Sequence, residues 1–360
     1  MAQIDAFFKL MNEQGASDLH MVAGQQPLLR IRGDMERVKY GAFENDTLKA
    51  MLYEIVIEEK IKEFEETGDV DFGYEIPGLA RYRGNLFMQK NGVGAVFREI
   101  PSTILTCEQL GLPNIVSRLS GLPKGMVLVT GPTGSGKSTT LAAIIDEANK
   151  TRSDHILTIE DPVEFVHKSQ KCIVNHREVG THTKSFSAAL RGALREDPDI
   201  ILVGEMRDLE TIALAMEASM TGHLVFGTLH TINASKTVDR VIEIFPSNQQ
   251  AQVRSTLADS LKAVVSQTLF KRIDVKGRCA ALEILICTPA VRNLIREGKT
   301  FQIPSVMQTG KKFGMQTLDD AIKVYLDKGM ISAEAAYTNA VEKSKFVSYL
   351  KKPPTDFTEG

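Results

Sequence analysis

The sequence predicts an α/β protein whose larger part is a mostly parallel β-sheet with helices on both faces. Short apolar runs alternate with helical segments through the middle of the chain, and this alternation is typical of parallel sheets. A glycine-rich segment, 131–138, joins the first of these runs to an alanine-rich helix predicted at 138–150. The apolar runs predicted to be strands are 126–130, 155–159, 200–204 and 224–228.

The length predicts more than one domain, because 360 residues exceed the size of an ordinary single domain. Residues 1–100 mix helices with strands, contain no catalytic motif, and are expected to form an α+β domain. A linker is predicted at 101–113, where proline and glycine recur. The core with the glycine-rich segment then spans 114–288, and a helical C-terminal region spans 289–360.

Hydrophobic periodicity predicts the remaining elements. In the first domain, helices are expected at 4–12, ending near Gly15, and at 47–64, with strands at 28–31, 38–40, 69–74, 80–89 and 94–100. Later in the chain we expect one long helix at 247–269, with Ser247 as its N-cap. The C-terminal helices are predicted at 289–297, 317–328 and 332–342.

Composition excludes several classes of function. The formal net charge of −2 gives no sign of a bulk nucleic-acid binder. No apolar run approaches the ~18–20 residues that span a bilayer, and the N-terminus has no signal-peptide pattern, so we expect a cytoplasmic protein without an integral membrane segment. The cysteines are scattered and form no CxxC pair, which favours reduced thiols over a zinc site. They are Cys107, Cys172, Cys279 and Cys287.

The glycine-rich segment fits the phosphate-binding pattern GxxxxGK[ST] in full. Its glycines let successive backbone N–H groups point at phosphate oxygens, and the helix that follows adds the positive end of its dipole. Lys137 supplies a charge for the β- and γ-phosphates of ATP, and the Ser138 hydroxyl can bind Mg²⁺. The predicted nucleotide contacts are Gly131, Pro132, Thr133, Gly134, Ser135, Gly136, Lys137, Ser138 and Thr139.

Two acidic segments follow in the same predicted sheet. The apolar strand at 200–204 leads into Glu205, which is placed to hold the water shell of a bound Mg²⁺. A second strand leads into Glu160, Asp161 and Glu164. Hydrolysis needs a carboxylate that orients or deprotonates the attacking water. The residue pattern alone leaves open which of these three acids is the base, and a solvated acidic turn is the alternative.

Histidines and arginines complete the candidate residues. His223 and His230 flank a predicted strand and should lie some ~20 Å apart, too far for a shared metal. His230 is either a γ-phosphate sensor or a hydrogen-bonded structural histidine. Arg81 and Arg83 share a strand face, and together with Arg98 they form either a solvated charged face or phosphate contacts made across a domain or subunit boundary.

The order of these motifs resembles that of the secretion ATPase superfamily, and most closely the PilT-type retraction ATPases of type IV pili. The chain reaches the segment 16–20 (ASDLH) almost at its start, and it lacks the paired CxxC insertion typical of the pilus assembly enzymes. The segment 290–297 (AVRNLIRE) differs only at Val291 from the AIRNLIRE motif associated with retraction. The resemblance covers essentially the whole chain.

This resemblance implies a PAS-like N-terminal domain followed by a RecA-like P-loop ATPase domain, assembled as a homohexameric ring. It implies that Glu164 activates water, that Glu205 is the Walker B acid, and that His223 and His230 form the histidine box. Arg81, Arg83 and Arg98 would reach the nucleotide, some of them across a subunit boundary. The implied partners are an inner-membrane pilus platform protein and an accessory retraction ATPase, which places the ring at the cytoplasmic side of that membrane.

Other functions remain as alternatives. Within the superfamily, the chain could be an accessory retraction ATPase, or a pilus assembly or type II secretion ATPase. A RecA-like nucleic-acid motor would need a basic or aromatic strand-binding surface, which the near-neutral charge and the absence of tryptophan disfavour. A ring that binds nucleotide without hydrolysing it is disfavoured by the presence of Lys137, Ser138, Glu164 and Glu205.

Overall fold

A computed structural model describes residues 2–31, 33–100 and 103–351 and divides the chain into two compact units. Unit 1 contains residues 1–104 together with the segments 159–167 and 176–185. Unit 2 contains residues 105–158, 168–175 and 186–360. Both inserted segments of unit 1 come from the range 114–288, which was predicted to form the core with the glycine-rich segment. The strands at His155–Glu160 and Ile173–Glu178 each begin in unit 2 and end in unit 1.

Unit 1 is built on a six-stranded antiparallel sheet with the strand order β3-β2-β1-β6-β5-β4. Its strands are β1 (Asp18–Val22), β2 (Leu28–Ile31), β3 (Asp34–Arg37), β4 (Asp69–Ile76), β5 (Ala80–Gln89) and β6 (Gly92–Ile100). Its helices are α1 (Asp5–Glu13), α2 (Asn45–Tyr53) and α3 (Glu58–Thr67).

The two faces of this sheet differ because side chains alternate along each strand. One face is apolar and packs with the helices into a single core, in which Phe97 of β6 and Phe8 of α1 are fully buried and their rings lie 4.9 Å apart. The other face carries charged residues in cross-strand register, with Asp18 opposite Arg98 and Arg98 opposite Arg83. The candidate arginines therefore lie side by side on the polar face.

Unit 2 is built on a seven-stranded sheet with the order β13-β12-β7-β11-β10-β8-β9. Strands β12, β7, β11 and β10 run parallel to one another, and β13 pairs with β12 in the antiparallel direction. The strands are β7 (Gly125–Thr130), β8 (His155–Glu160), β9 (Ile173–Glu178), β10 (Ile200–Val203), β11 (Leu224–Leu229), β12 (Leu261–Lys271) and β13 (Arg278–Ile286).

The helices of unit 2 connect these strands and form the C-terminal region. They are α4 (Asn114–Arg118), α5 (Lys137–Thr151), α6 (Phe186–Ala193), α7 (Leu209–Met220), α8 (Ala234–Glu243), α9 (Gln250–Ser260), α10 (Pro289–Arg296), α11 (Ile303–Thr309), α12 (Leu318–Asp327) and α13 (Ala333–Asn339). The predicted α/β class is confirmed. Across the described ranges, no helix combines the length and the apolar character that crossing a membrane would require.

The predicted helix at 247–269 is wrong in its second half. Helix α9 ends at Ser260, and the chain continues without a turn into β12, which lies next to the central strand β7. Gln249 is the N-cap position, so Ser247 does not cap this helix. The run Ala263–Val265 is completely buried, and β-branched residues suit a strand that is covered on both faces.

Two predictions in unit 1 also need correction. The single helix predicted at 47–64 is two helices, α2 and α3, interrupted after Tyr53, and Ile57 at the N-cap of α3 has extended backbone angles. The strand predicted at 38–40 lies earlier, at Asp34–Arg37, where it pairs with β2 directly after the turn at Gly33. Strand β1 was not predicted, because its sequence DLHMV mixes buried polar and apolar residues.

Candidate nucleotide site

The phosphate loop connects β7, which is buried along its whole length, to the first residue of α5. Gly131, Gly134 and Gly136 have φ angles of 142°, 77° and 86°, which side chains other than glycine rarely adopt. Gly131 also lacks space for a side chain, because a Cβ atom there would lie 2.4 Å from the backbone oxygen of Gln267. The backbone therefore has the curvature that directs amide groups toward an anion.

Gln267 of β12 stabilises this loop with two hydrogen bonds. Its Nε2 donates to the backbone oxygen of Ser135 at 2.6 Å, and its Oε1 accepts a hydrogen bond from the Thr140 hydroxyl at 2.7 Å. The side chain is 3% exposed, so these bonds form without competition from water. The sequence prediction missed Gln267 because it assigned this segment to a helix. The consecutive valines Val264 and Val265 were the available signal for a strand.

The residues of the loop fit a nucleoside triphosphate with Mg²⁺. The Lys137 ammonium donates to the backbone oxygens of Gly131 at 2.9 Å and Pro132 at 3.1 Å, so it lies within the concave side of the loop. The buried Ser135 hydroxyl has no hydrogen-bond partner among the described residues, as expected of a group that serves a ligand. Ser138 is partly exposed in the first turn of α5 and offers a hydroxyl to a metal.

Glu205 and His230 meet at the carboxyl ends of neighbouring parallel strands. Strands β10 and β11 pair in parallel, with Val203 opposite Gly227, so the residues that follow both strands lie at the same edge of the sheet. His230 Nε2 lies 2.8 Å from Glu205 Oε1, which links the predicted Walker B acid to the predicted γ-phosphate sensor. Arg207 forms an ion pair with the same carboxylate oxygen.

These neighbours keep Glu205 charged. Burial on its own would raise the pKa of Glu205, but the hydrogen bond and charge of Arg207 and the adjacent His230 outweigh it and leave the pKa below its ordinary value. An ionised carboxylate is the form that can hold the water shell of Mg²⁺.

His223 occupies the other end of β11, away from His230, as predicted. Its Nδ1 lies 2.9 Å from the backbone oxygen of Ala218, and its N–H donates to the same oxygen at 3.2 Å. His223 therefore terminates α7 in the structure. Among the described residues no group of three or more histidine, cysteine or acidic side chains could hold a metal ion.

Glu164 belongs to unit 1, where it contacts the polar face of the antiparallel sheet. Arg83 Nη1 lies 3.5 Å from Glu164 Oε1, and Arg83 Nη2 lies 3.1 Å from Asp71. The backbone N–H of Glu164 donates to Glu160 Oε2 at 3.1 Å. Glu160 is 8% exposed and is engaged with backbone, whereas Glu164 is partly exposed.

The other two candidate arginines also have acidic partners in unit 1. Arg98 donates from Nε to Asp18 at 2.9 Å, and its side chain is 72% exposed. Arg81 forms an ion pair with Glu178, the last residue of β9. The sequence prediction missed Glu178, because nothing in the local pattern around it distinguishes this buried acid from acids that lie on the surface.

Comparison with known proteins shows which family the chain belongs to. The family described as "Type II/IV secretion system protein" matches residues 104–336, which is more than half of the chain. The chain belongs to this family. The type IV pilus retraction ATPase PilT of Pseudomonas aeruginosa is 58% identical over 92% of this chain and 95% of its own length.

Two further proteins of the pilus machinery are similar to this chain. The crystal structure of the pilus retraction motor PilT with bound ADP superimposes with a TM-score of 0.87 at 46% identity, covering 96% of this chain and 98% of that one. The type IV pilus ATPase PilU of Pseudomonas aeruginosa is 38% identical over 94% of this chain and 88% of its own. The chain is thus a PilT-type member of the family.

Proposed function

We propose that this protein is the ATP-hydrolysing motor that retracts type IV pili, working as a homohexameric ring. The observation that carries the proposal is the phosphate loop with Lys137 in its concave side, in a chain that resembles PilT over nearly its full length. An accessory retraction ATPase of the PilU type is the second candidate, favoured only by the 38% identity to that protein.

Each residue of the site has a chemical role in the proposed reaction. Lys137 and the backbone amides of the loop bind the β- and γ-phosphates, and the Gln267 hydrogen bonds keep the loop in shape. Ser138 and, through water, Glu205 would hold Mg²⁺, whose charge offsets that of the phosphates. Glu164 acts as the base that orients and deprotonates the attacking water. His230 responds to the γ-phosphate through its contact with Glu205.

Arginines of unit 1 complete the proposed site by binding phosphate oxygens. Arg83 and Arg98 are adjacent on the polar face of the sheet, and guanidinium groups suit bidentate phosphate contacts. Nucleotide binding then closes neighbouring subunits of the proposed ring on each other, and product release reopens them. Repeated around a ring, this cycle would act on a pilus platform protein in the inner membrane, with the ring held at its cytoplasmic side.

The proposal is tested by Lys137→Ala and Glu164→Gln, assayed for phosphate release and for pilus retraction in cells. Lys137→Ala should lose nucleotide binding and therefore hydrolysis, whereas Glu164→Gln should bind nucleotide but hydrolyse it at least about 100-fold more slowly. Both should abolish retraction. Lys150→Ala, at the other end of α5, is the matched control and should behave as wild type.

Two outcomes would contradict the proposal. If Glu164→Gln hydrolyses ATP at the wild-type rate, Glu164 is not the base, and Glu160 and Asp161 become the candidates. Glu160→Gln and Asp161→Asn then distinguish between them. Normal retraction by Lys137→Ala in cells that lack every other retraction ATPase would show that this chain does not power retraction.

A further inference from the structure

The ion pair between Arg81 and Glu178 lies beside the acidic segment that carries Glu164. Only 7% of the Glu178 side chain and 19% of the Arg81 side chain are exposed. Removing two charges from water is unfavourable unless further hydrogen bonds compensate for it. The other contacts of the pair therefore indicate what it does.

Glu178 also accepts a hydrogen bond from the Thr181 hydroxyl at 3.2 Å, and Arg81 Nη1 lies 3.4 Å from Glu75. The two contacts that reach the acidic segment both fall on Val163, which directly precedes Glu164. Glu178 Oε2 accepts a hydrogen bond from the Val163 N–H at 2.9 Å, and Arg81 Nε donates to the Val163 carbonyl oxygen at 3.2 Å. The Val163 carbonyl and the Glu164 N–H belong to the same peptide group, and that N–H donates to Glu160 at 3.1 Å. Two consecutive peptide groups leading into Glu164 are thus held by charged side chains.

We propose that Glu178 and Arg81 are positioning residues, which fix the backbone at Val163 so that the Glu164 carboxylate is presented in a single orientation. This inference rests on the proposed function, in which Glu164 is the catalytic base. Charge-assisted hydrogen bonds to backbone are stronger and more directional than neutral ones, so the buried pair suits this task. Arg81 thereby acts through the backbone of the acidic segment, while Arg83 contacts the Glu164 carboxylate itself.

A positioning role predicts a loss of turnover without a loss of nucleotide affinity. Displacing a catalytic group by about 1 Å can lower the rate by about 100-fold. Glu178→Gln keeps the size of the side chain but places a neutral amide against the Arg81 guanidinium and weakens the bond to Val163. We expect kcat for ATP hydrolysis to fall by about 10- to 100-fold, and KM and the affinity for a fluorescent ATP analogue to stay within about threefold.

The matched control is Glu75→Gln. Glu75 lies 3.4 Å from Nη1 of the same guanidinium, and its side chain is 53% exposed. The change removes one carboxylate from Arg81 but leaves Glu178 and both hydrogen bonds to Val163 in place. We expect a wild-type kcat for this variant.

A double substitution separates positioning from general damage to the fold. If Glu178 acts through Glu164, then adding Glu178→Gln to Glu164→Gln should not lower the residual rate further. A further loss in the double variant, or a fall in kcat that merely follows a fall in folded protein and in nucleotide affinity, would overturn the inference. A wild-type kcat in Glu178→Gln beside an inactive Glu164→Gln would overturn it while leaving the base assignment intact.

Two results keep the test decisive. A wild-type rate in Glu164→Gln itself overturns the base assignment, and the inference with it, whatever Glu178→Gln does. If Glu178→Gln does not fold, Arg81→Lys replaces it, since lysine keeps the charge opposite Glu178 but loses the Nε donor to Val163. We expect kcat to fall about tenfold with unchanged nucleotide affinity; an unchanged kcat, or a loss confined to affinity, would overturn the inference.

Discussion

At the scale of single residues, the phosphate loop shows that glycines of one motif are required for different reasons. A Cβ atom at Gly131 would meet the backbone oxygen of Gln267 at 2.4 Å and the Ser135 hydroxyl at 2.7 Å. A Cβ atom at Gly134 would have no atom within 4 Å. Both glycines have positive φ angles, of 142° and 77°. Gly131 is thus constrained by backbone angle and by space, and Gly134 by backbone angle alone.

This difference predicts unequal effects of alanine at the two positions. Gly134→Ala should cost about 1–2 kcal/mol of backbone strain and lower nucleotide affinity modestly. Gly131→Ala adds a contact with backbone that no side-chain rotation can relieve, so we expect a further ~1–3 kcal/mol and loss of measurable ATP binding. Titration of a fluorescent ATP analogue compares the two variants. Equal affinities would show that the space around Gly131 does not limit the loop.

The residues of the site differ in how far the sequence could predict them. Lys137 and Ser138 follow from a contiguous pattern, and Glu205 follows from its place at the end of an apolar strand. Gln267 and Glu178 act through partners more than 90 residues away in the chain, Ser135 and Arg81. Such contacts depend on which strands are neighbours, and no local pattern contains that information.

At the scale of elements, the largest error concerns the boundary between α9 and β12. The segment before Ser260 has helical spacing, and Leu261 continues the apolar pattern without glycine or proline. Periodicity alone cannot distinguish a short buried strand from a buried helix. The pairing of β12 with β7 decides the outcome, because it extends the central sheet by one parallel strand. Strand β7, which precedes the phosphate loop, was predictable because glycine and proline follow it directly.

Helix α7 follows Glu205 closely, and its N-cap predicts a pH effect on stability. The Asp208 carboxylate accepts hydrogen bonds from the Thr211 N–H at 2.8 Å and the Thr211 hydroxyl at 2.7 Å. Burial on its own would raise the pKa of Asp208, but these hydrogen bonds outweigh it, so the pKa lies below its ordinary value. A lowered carboxylate pKa stabilises the fold above the ordinary value of about 4, and this contribution is lost as the pH falls through the lowered pKa.

Two substitutions at Asp208 separate the cap from the charge. Asp208→Ala should lower the melting temperature at pH 7 by about 2–4 °C, because losing an N-cap costs about 1 kcal/mol. Asp208→Asn keeps a capping oxygen and should melt close to wild type at pH 7. Any remaining difference in melting temperature between Asp208→Asn and the wild type should shrink below pH 4, because the wild type loses the contribution of the Asp208 charge there. Melting curves from pH 7 to pH 3 test this, and an asparagine variant as unstable as the alanine variant would contradict it.

At the scale of the whole molecule, the C-terminal motif has both a structural side and an exposed side. In α10, Val291 and Ile295 are fully buried, and the Arg292 guanidinium donates to the backbone oxygen of Cys287 at 3.1 Å. Core packing therefore explains Val291 and Ile295 of this motif. Asn293, Arg296 and Glu297 are exposed, so these polar side chains are available for the proposed coupling of hydrolysis to retraction.

The proposed ring makes a prediction about Arg98 that a single chain cannot test. Arg98 is anchored to Asp18 through Nε, and the remainder of its side chain is largely exposed. We expect it to serve the nucleotide of a neighbouring subunit. Arg98→Ala and Lys137→Ala should each abolish hydrolysis when present in every subunit. In mixed rings, a subunit with Lys137→Ala can lend its intact Arg98 to a neighbour with an intact phosphate loop.

Random mixing of the two inactive variants at equal amounts should therefore restore about a quarter of the sites. The measurement is ATPase activity against mixing ratio after the subunits are dissociated and reassembled, with Lys137→Ala mixed into Lys137→Ala as the control. Activity that rises to a maximum near the equal ratio places Arg98 in the neighbour's site. No recovery at any ratio would show that it serves the nucleotide of its own chain, and full activity of Arg98→Ala alone would remove it from the site.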